Sequence, residues 1–263
     1  MKSSTGEVGK PLTDTKGTPL RFVTGSSLFD GHDAAINMIR RLLQSQGAEV
    51  IHLGHNRSVQ ELVDAAIQED ADGLAVSSYQ GGHNEFFKYM VDELKANNAG
   101  HIQVFGGGGG VILPSEIEAL QAYGVNRIYS PQDGKKMGLD GMIGDMIARA
   151  AQVRDARKKI DTACSPESIK ALGNNWPLLT QLITRLEREE VSAADLEAIR
   201  EQAKASKTPV LGITGTGGAG KSSLTDELIR RLRMDHGDDL TIGVVCVDPS
   251  RRKTGGALLG DRI

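Results

Sequence analysis

Cysteine is nearly missing from this chain of 263 residues: Cys164 and Cys246 are the two that occur, far apart. Two such thiols form no disulfide framework and suit a reducing compartment, so a cytoplasmic protein is expected. No apolar run approaches the roughly 18 residues of a membrane span. The opening 1–18 is polar, lacks the apolar centre of a signal peptide and reads as a disordered lead-in. Neither sign of charge dominates. Thirty-one basic residues stand against 34 acidic ones, for a net charge of −3, which gives no electrostatic case for nucleic acid or a membrane surface. Aromatic residues make up only 4%. What the chain has in quantity is glycine, 32 residues, within an ordinary 39% hydrophobic and 25% charged composition. That combination points to a globular protein with tight loops approached closely by ligands.

From 20 to about 149 short apolar runs alternate with amphipathic stretches. The runs at 20–24, 49–53, 73–77, 101–105 and 126–129 read as strands, and 34–46, 58–69, 85–97, 114–123 and 138–158 as helices. Ile36, Ile39, Leu42 and Leu43 share one face, as do Val59, Leu62, Val63 and Ile67. Ser58 with Glu61 forms a capping-box signature, and Pro114 sits where a helix tolerates proline. Five strands separated by helices require parallel pairing through right-handed crossovers. The expected product is a flavodoxin-like doubly wound parallel sheet of order 2-1-3-4-5, spanning 19–150. Ligands of such sheets lie beyond the carboxyl ends of the strands.

Residues 151–208 read as a helical linker. Leu178, Leu179, Leu182, Ile183 and Leu186 form an apolar stripe, and Ser192 caps a second helix with Asp195 three residues on. Residues 209–263 open differently, with a strand at 210–213, a glycine loop, a helix, and a second strand at 241–247. These are the beginnings of a P-loop α/β domain, and such a domain needs more strands than these two, so the expectation is a piece of something longer.

Three segments converge on the carboxyl edge of the first sheet: Asp30-Gly31-His32 after strand one, Ser77-Ser78-Tyr79 after strand three, and Gly106 to Gly110 after strand four. A neutral imidazole binds metal through one ring nitrogen when a carboxylate holds the proton on the other. Asp30, on an extended approach to His32, suits that second role. Ser77 offers a hydroxyl, and Gly106 and Gly107 leave room for a bulky ligand. Each feature alone has a plainer reading: a hydrogen-bonded loop histidine, a strand-end serine, a hinge of glycines. Their joint spacing carries the functional one.

With those intervals the segment 20–150 resembles the cobalamin-binding domains of the methylmalonyl-CoA mutase family and of methionine synthase. Ala35 and Tyr79 stand where that pattern has Gly and Leu. The run from Ala75 to His83, the five glycines and Arg127 to Pro131 look most like the fused isobutyryl-CoA mutases. The resemblance implies adenosylcobalamin as cofactor, His32 as cobalt ligand, Asp30 as its orienting partner and Ser77 as a contact to the nucleotide tail. It leaves His52, His55 and His83 without a role, with His83 the strongest outside candidate.

Gly215, Gly217, Gly218, Ala219, Gly220, Lys221, Ser222 and Ser223 form a P-loop and the first turn of its helix. Backbone N–H groups there face phosphates, Lys221 supplies charge, and Ser222 offers a Mg²⁺ ligand. The residues specify a nucleoside triphosphate and no base. Resemblance to the GTPase chaperones of acyl-CoA mutases implies GTP with Mg²⁺, and makes Asp248 and Asp261 candidate metal-site carboxylates. Arg251-Arg252-Lys253 reads as a solvated, switch-like segment. The family reading expects a cobalamin-dependent isomerase that rearranges isobutyryl-CoA and butyryl-CoA as a homodimer, with the acyl-CoA held by a domain outside these residues. Two rivals use the same residues: a cobalamin carrier or sensor with a nucleotide switch, and a corrinoid methyl-transfer protein.

Overall fold

The computed structural model of the chain describes residues 19–31, 33–157, 175–237 and 239–246. The lead-in at 1–18, His32, Cys164, Asp248, Asp261 and the basic segment 251–253 lie outside the described residues.

Five parallel strands, β1 (Arg21–Ser26), β2 (Glu49–His52), β3 (Gly73–Ser77), β4 (Gln103–Gly107) and β5 (Arg127–Tyr129), pair in the order β2-β1-β3-β4-β5. The expected doubly wound order is therefore formed, with its reversal between β1 and β3. Alternate residues feed two cores, as a period of two demands. Val23, Leu74, Val76 and Val104 pack with α2 (Val59–Gln68), α3 (His83–Ala96) and α4 (Pro114–Tyr123). Phe22, Ala75, Phe105 and Tyr129 pack on the other face, against α1 (Asp33–Ser45) and α5 (Pro131–Arg157). Each large apolar side chain buried in this way stabilises the fold by roughly 1.5–3 kcal/mol.

Local signals set most of the helix starts. The Ser58 hydroxyl accepts the Glu61 N–H at 3.2 Å while the Glu61 carboxylate accepts the Ser58 N–H at 2.9 Å. Helix α5 begins at Pro131, well before the expected 138, because Ser130 and Asp133 cap it reciprocally at 3.2 and 2.8 Å. Gly138 (φ 69°, ψ 174°) then breaks the helix, which is why periodicity alone places its start too late. Two further helices follow, α6 (Trp176–Glu187) and α7 (Ala193–Ala205), and α6 packs against α2. Ser192 accepts the Asp195 N–H at 3.1 Å.

The chain divides into two compact units after Lys204. In the second, helix α8 (Lys221–His236) forms, but the strands expected at 210–213 and 241–247 do not: 210–213 and the described 241–246 are irregular. Val210 and Val245 are 93% and 94% exposed. An extended segment without a neighbouring strand has no ladder for its N–H and C=O groups and no face on which to bury its side chains.

Candidate functional site

Register places Ser26, Ser77, Gly107 and Tyr129 side by side across the carboxyl edge of the sheet. The ladder continues one step beyond the strands: Ser27 N–H donates to the Ser77 carbonyl at 2.9 Å and Ser78 N–H to the Gly107 carbonyl at 2.8 Å. The hydroxyls of Ser27 and Ser78, both fully buried, meet at 2.9 Å. This stitching fixes the three loops relative to one another.

Asp30 is 2% exposed, and its Oδ2 accepts the Tyr79 N–H at 2.7 Å. Ahead of Asp30 the chain turns, with Asp30 N–H donating to the Ser27 carbonyl at 3.1 Å and Phe29 at φ 64°, and the expected approach from Asp30 to His32 runs into a residue outside the described ones. The side chain of Asn56 accepts the Phe29 N–H at 2.9 Å and holds that residue in the left-handed region.

The glycine loop lies flush on the loop after β3. A Cβ at Gly108 would collide with the Ser78 carbonyl, and one at Gly109 (φ 57°) would stand 2.7 Å from the Tyr79 ring. Gly106 faces the opposite core, where a Cβ would meet Phe87 and Ile128 at 2.5 Å. At Gly107 the nearest atom to a Cβ, the Tyr129 carbonyl oxygen, is 3.6 Å away.

A cavity of about 360 Å³ sits over this row. Ala75, Ser77, Phe105 and Gly107 form its floor. Ala35, Ile36, Met38 and Ile39 of α1 and Leu139, Met142, Ile143 and Met146 of α5 form its walls, with Tyr129 at the rim of the floor. The Tyr129 hydroxyl donates to Asp145 at 2.9 Å. Burial and that carboxylate push the phenol pKa up, so it stays neutral. The Arg149 and Tyr129 hydrogen bonds outweigh burial at Asp145 and hold its carboxyl below the usual range. Among the described side chains none hydrogen-bonds the Ser77 hydroxyl, which is 6% exposed. An apolar slot with one available hydroxyl and glycine at its floor fits a flat heteroaromatic group.

Asp30, Ser77, Gly106 and Gly107, expected from sequence, thus gather at one edge. The sequence reading named Ser78 and Tyr79 only as part of a converging segment, and missed Ser27, the Ser27–Ser78 contact, the Tyr79 N–H bond to Asp30 and both cavity walls. Of these, the Ser27–Ser78 pair had a signal, a serine at the end of each of two adjacent strands. The walls had none, since α1 and α5 meet only in the fold. His52 shares a hydrogen bond with Thr24 at 2.9 Å, and His55 is exposed.

In the second unit the glycine loop is shaped for anions. Gly218 (φ 75°) and Gly220 (φ 79°) are left-handed, and α8 starts at Lys221. The N–H groups of its first turn, which includes Ser222 and Ser223, have no intrahelical acceptors. Lys221 Nζ folds over the loop and donates to the Thr216 carbonyl at 2.9 Å. The described residues hold no cluster of three potential metal ligands, and the carboxylates Asp248 and Asp261 lie outside them. No described helix is long and apolar enough to cross a membrane.

Two family models match: the B12 binding domain over residues 20–132 and the methylmalonyl Co-A mutase-associated GTPase MeaB over 179–263. A fused isobutyryl-CoA mutase of Cupriavidus metallidurans is 62% identical over 93% of this chain and 22% of its own length. The 2-hydroxyisobutanoyl-CoA mutase small subunit of Aquincola tertiaricarbonis is 31% identical over 51% of this chain and 98% of its own. A solved cobalamin-binding protein of Desulfitobacterium hafniense overlays with a TM-score of 0.42 at 20% identity, over 50% of this chain and 59% of that one. The chain belongs to the cobalamin-dependent acyl-CoA mutase family, with the domain order of the fused isobutyryl-CoA mutases: a B12-binding domain followed by MeaB-type GTPase sequence. It spans 22–28% of the length of the fused mutases it matches.

Proposed function

We propose that residues 19–150 bind adenosylcobalamin over the carboxyl edge of the sheet, as the cofactor-carrying portion of a fused isobutyryl-CoA mutase. The apolar cavity beside Ser77 and Gly107 carries this reading, because among the described residues nothing polar lines it beyond a few hydroxyls and backbone groups. His32 would ligate cobalt, Asp30 would hold the imidazole proton, and the cofactor's nucleotide tail would lie against Ser77, Gly106 and Gly107. Bound there, the cofactor supplies a cobalt–carbon bond whose homolysis starts a radical rearrangement. The chain's own work is to orient the ligand histidine, exclude water with α1 and α5, and keep the floor clear of side chains.

The segment 151–208 serves in this reading as the link to a GTPase domain beginning at 209. There Gly215 to Ser223 would cradle the phosphates of GTP, with Ser222, Asp248 and Asp261 as the Mg²⁺-site candidates. The complete protein would interconvert isobutyryl-CoA and butyryl-CoA as a homodimer, through an acyl-CoA-binding domain outside these residues. EPR of the chain loaded with cob(II)alamin, unlabelled and then ¹⁵N-labelled, tests the first site. Labelling is expected to change the nitrogen superhyperfine splitting, and His32→Ala to abolish that change. A splitting indifferent to the label means that no protein nitrogen binds cobalt.

A further inference from the structure

His83 has no place in the binding motif, yet it is only 3% exposed. It opens α3 directly behind the loop that carries Tyr79. Its Nδ1 lies 3.1 Å from the Gln80 carbonyl oxygen and its Nε2 3.1 Å from Glu116 Oε2. Glu116 sits in the first turn of α4, behind the glycine loop. The same carboxylate accepts the Leu113 N–H at 2.8 Å and the Asn84 amide at 2.8 Å.

One imidazole thus reaches two elements at once, with Nδ1 against the β3 loop and Nε2 against the first turn of α4. The Leu113 N–H and the Asn84 amide, with His83 itself, hold the Glu116 carboxyl below the usual carboxylate range.

The two loops joined in this way are the ones that shape the site. The Tyr79 N–H holds Asp30, and the Tyr79 ring packs on Gly109. We propose that His83 and Glu116 form a clamp between the β3 and β4 loops that positions Tyr79, and through it Asp30, for cobalamin binding. Both are positioning residues, since neither lines the cavity. The inference rests on the cobalamin reading above.

Two neutral substitutions separate the clamp from a local turn. His83→Asn reaches as far as Nδ1 and keeps the bond to Gln80, whereas His83→Gln reaches as far as Nε2 and keeps the bond to Glu116. The readout is adenosylcobalamin affinity of the 263-residue chain by absorbance titration, with urea midpoints of the apo-proteins confirming that each variant is folded. Losing one charge-assisted hydrogen bond predicts about tenfold weaker binding for His83→Asn, and His83→Gln is expected to stay within about threefold. Glu116→Ala should match the Asn variant, and the double variant His83→Asn/Glu116→Ala should be no weaker than Glu116→Ala alone. Equal losses in Asn and Gln, or none in either, overturn the clamp. If the unsubstituted chain binds no adenosylcobalamin, it is the cobalamin reading that falls. The urea midpoints of the single and double variants then decide the clamp, which stands on coupled losses at His83 and Glu116 and fails on additive ones.

Discussion

The two edges of the first sheet treat polar groups in opposite ways. At the carboxyl edge, backbone amides, hydroxyls and glycines surround an apolar cavity, and a buried carboxylate of that edge, Asp30, accepts a backbone N–H. At the amino edge, charged side chains are buried together. Asp72 meets Arg154 through both oxygens, one of them at 2.6 Å from Nε, and accepts the Arg21 N–H at 2.7 Å. Arg21 in turn reaches the Glu69 carbonyl, Glu49 and, at 3.5 Å, Glu187 of α6. Burial pushes the Asp72 carboxyl up, and the Arg154 guanidinium opposes it. The contrast separates two tasks: ionic bonds hold the helices to the base of the sheet, and at the opposite edge no charged side chain among the described residues lines the cavity.

Removing Arg154 should break the base with the largest effect. Arg154→Met leaves Asp72 buried with a single backbone donor, which costs about 3–5 kcal/mol of stability. Urea unfolding of the apo-protein measures this. Adenosylcobalamin affinity of the folded variant should stay within about twofold, below the tenfold that corresponds to 1.4 kcal/mol. A tenfold loss of affinity would show that the two edges are coupled and that the division of labour is wrong.

The next effect is a pH dependence seated at the same base. Burial first, and Arg157 second, depress His101 to a pKa of about 4, while Asp70 opposes them. Its Nε2 has no hydrogen-bond partner among the described residues. The folded state thus keeps this imidazole neutral where the unfolded chain, with its ordinary value near 6.5, binds a proton. The stabilisation is complete above pH ~6.5 and is lost as pH falls toward 4, by at most about 3 kcal/mol. His101→Leu should flatten that acid limb between pH 6.5 and 4. An unchanged limb would assign the acid sensitivity to other groups.

Legibility in the sequence followed the range of each interaction. The strand at 73–77 and the helix at 114–123 are formed where periodicity and proline place them, and the Ser58–Glu61 box closes within three residues. Asp72 and Arg154 are 82 residues apart, and no local pattern pairs them. The cavity was half legible. Its floor follows from strand ends, but its walls come from α1 and α5, whose meeting depends on strand order. At 210–213 the short apolar run is present, but a strand exists only once a neighbour completes its ladder.

The smallest effect on stability belongs at the carboxyl edge, where it should come with a loss of function. Gly107 ends β4 on the cavity floor, and a Cβ there finds nothing nearer than 3.6 Å. The fold therefore has room for alanine. Restricting the unfolded chain should make Gly107→Ala neutral or more stable by about 0.4–1 kcal/mol. The added methyl nevertheless occupies the floor beside Ser77, where the reading places the cofactor's tail. Adenosylcobalamin affinity should fall by about tenfold, roughly 1.4 kcal/mol. Opposite signs in the two measurements would sharpen the contrast between the edges, because at Arg154 stability is lost while affinity holds. Unchanged affinity would mean that the tail lies elsewhere and that the open floor reflects packing alone.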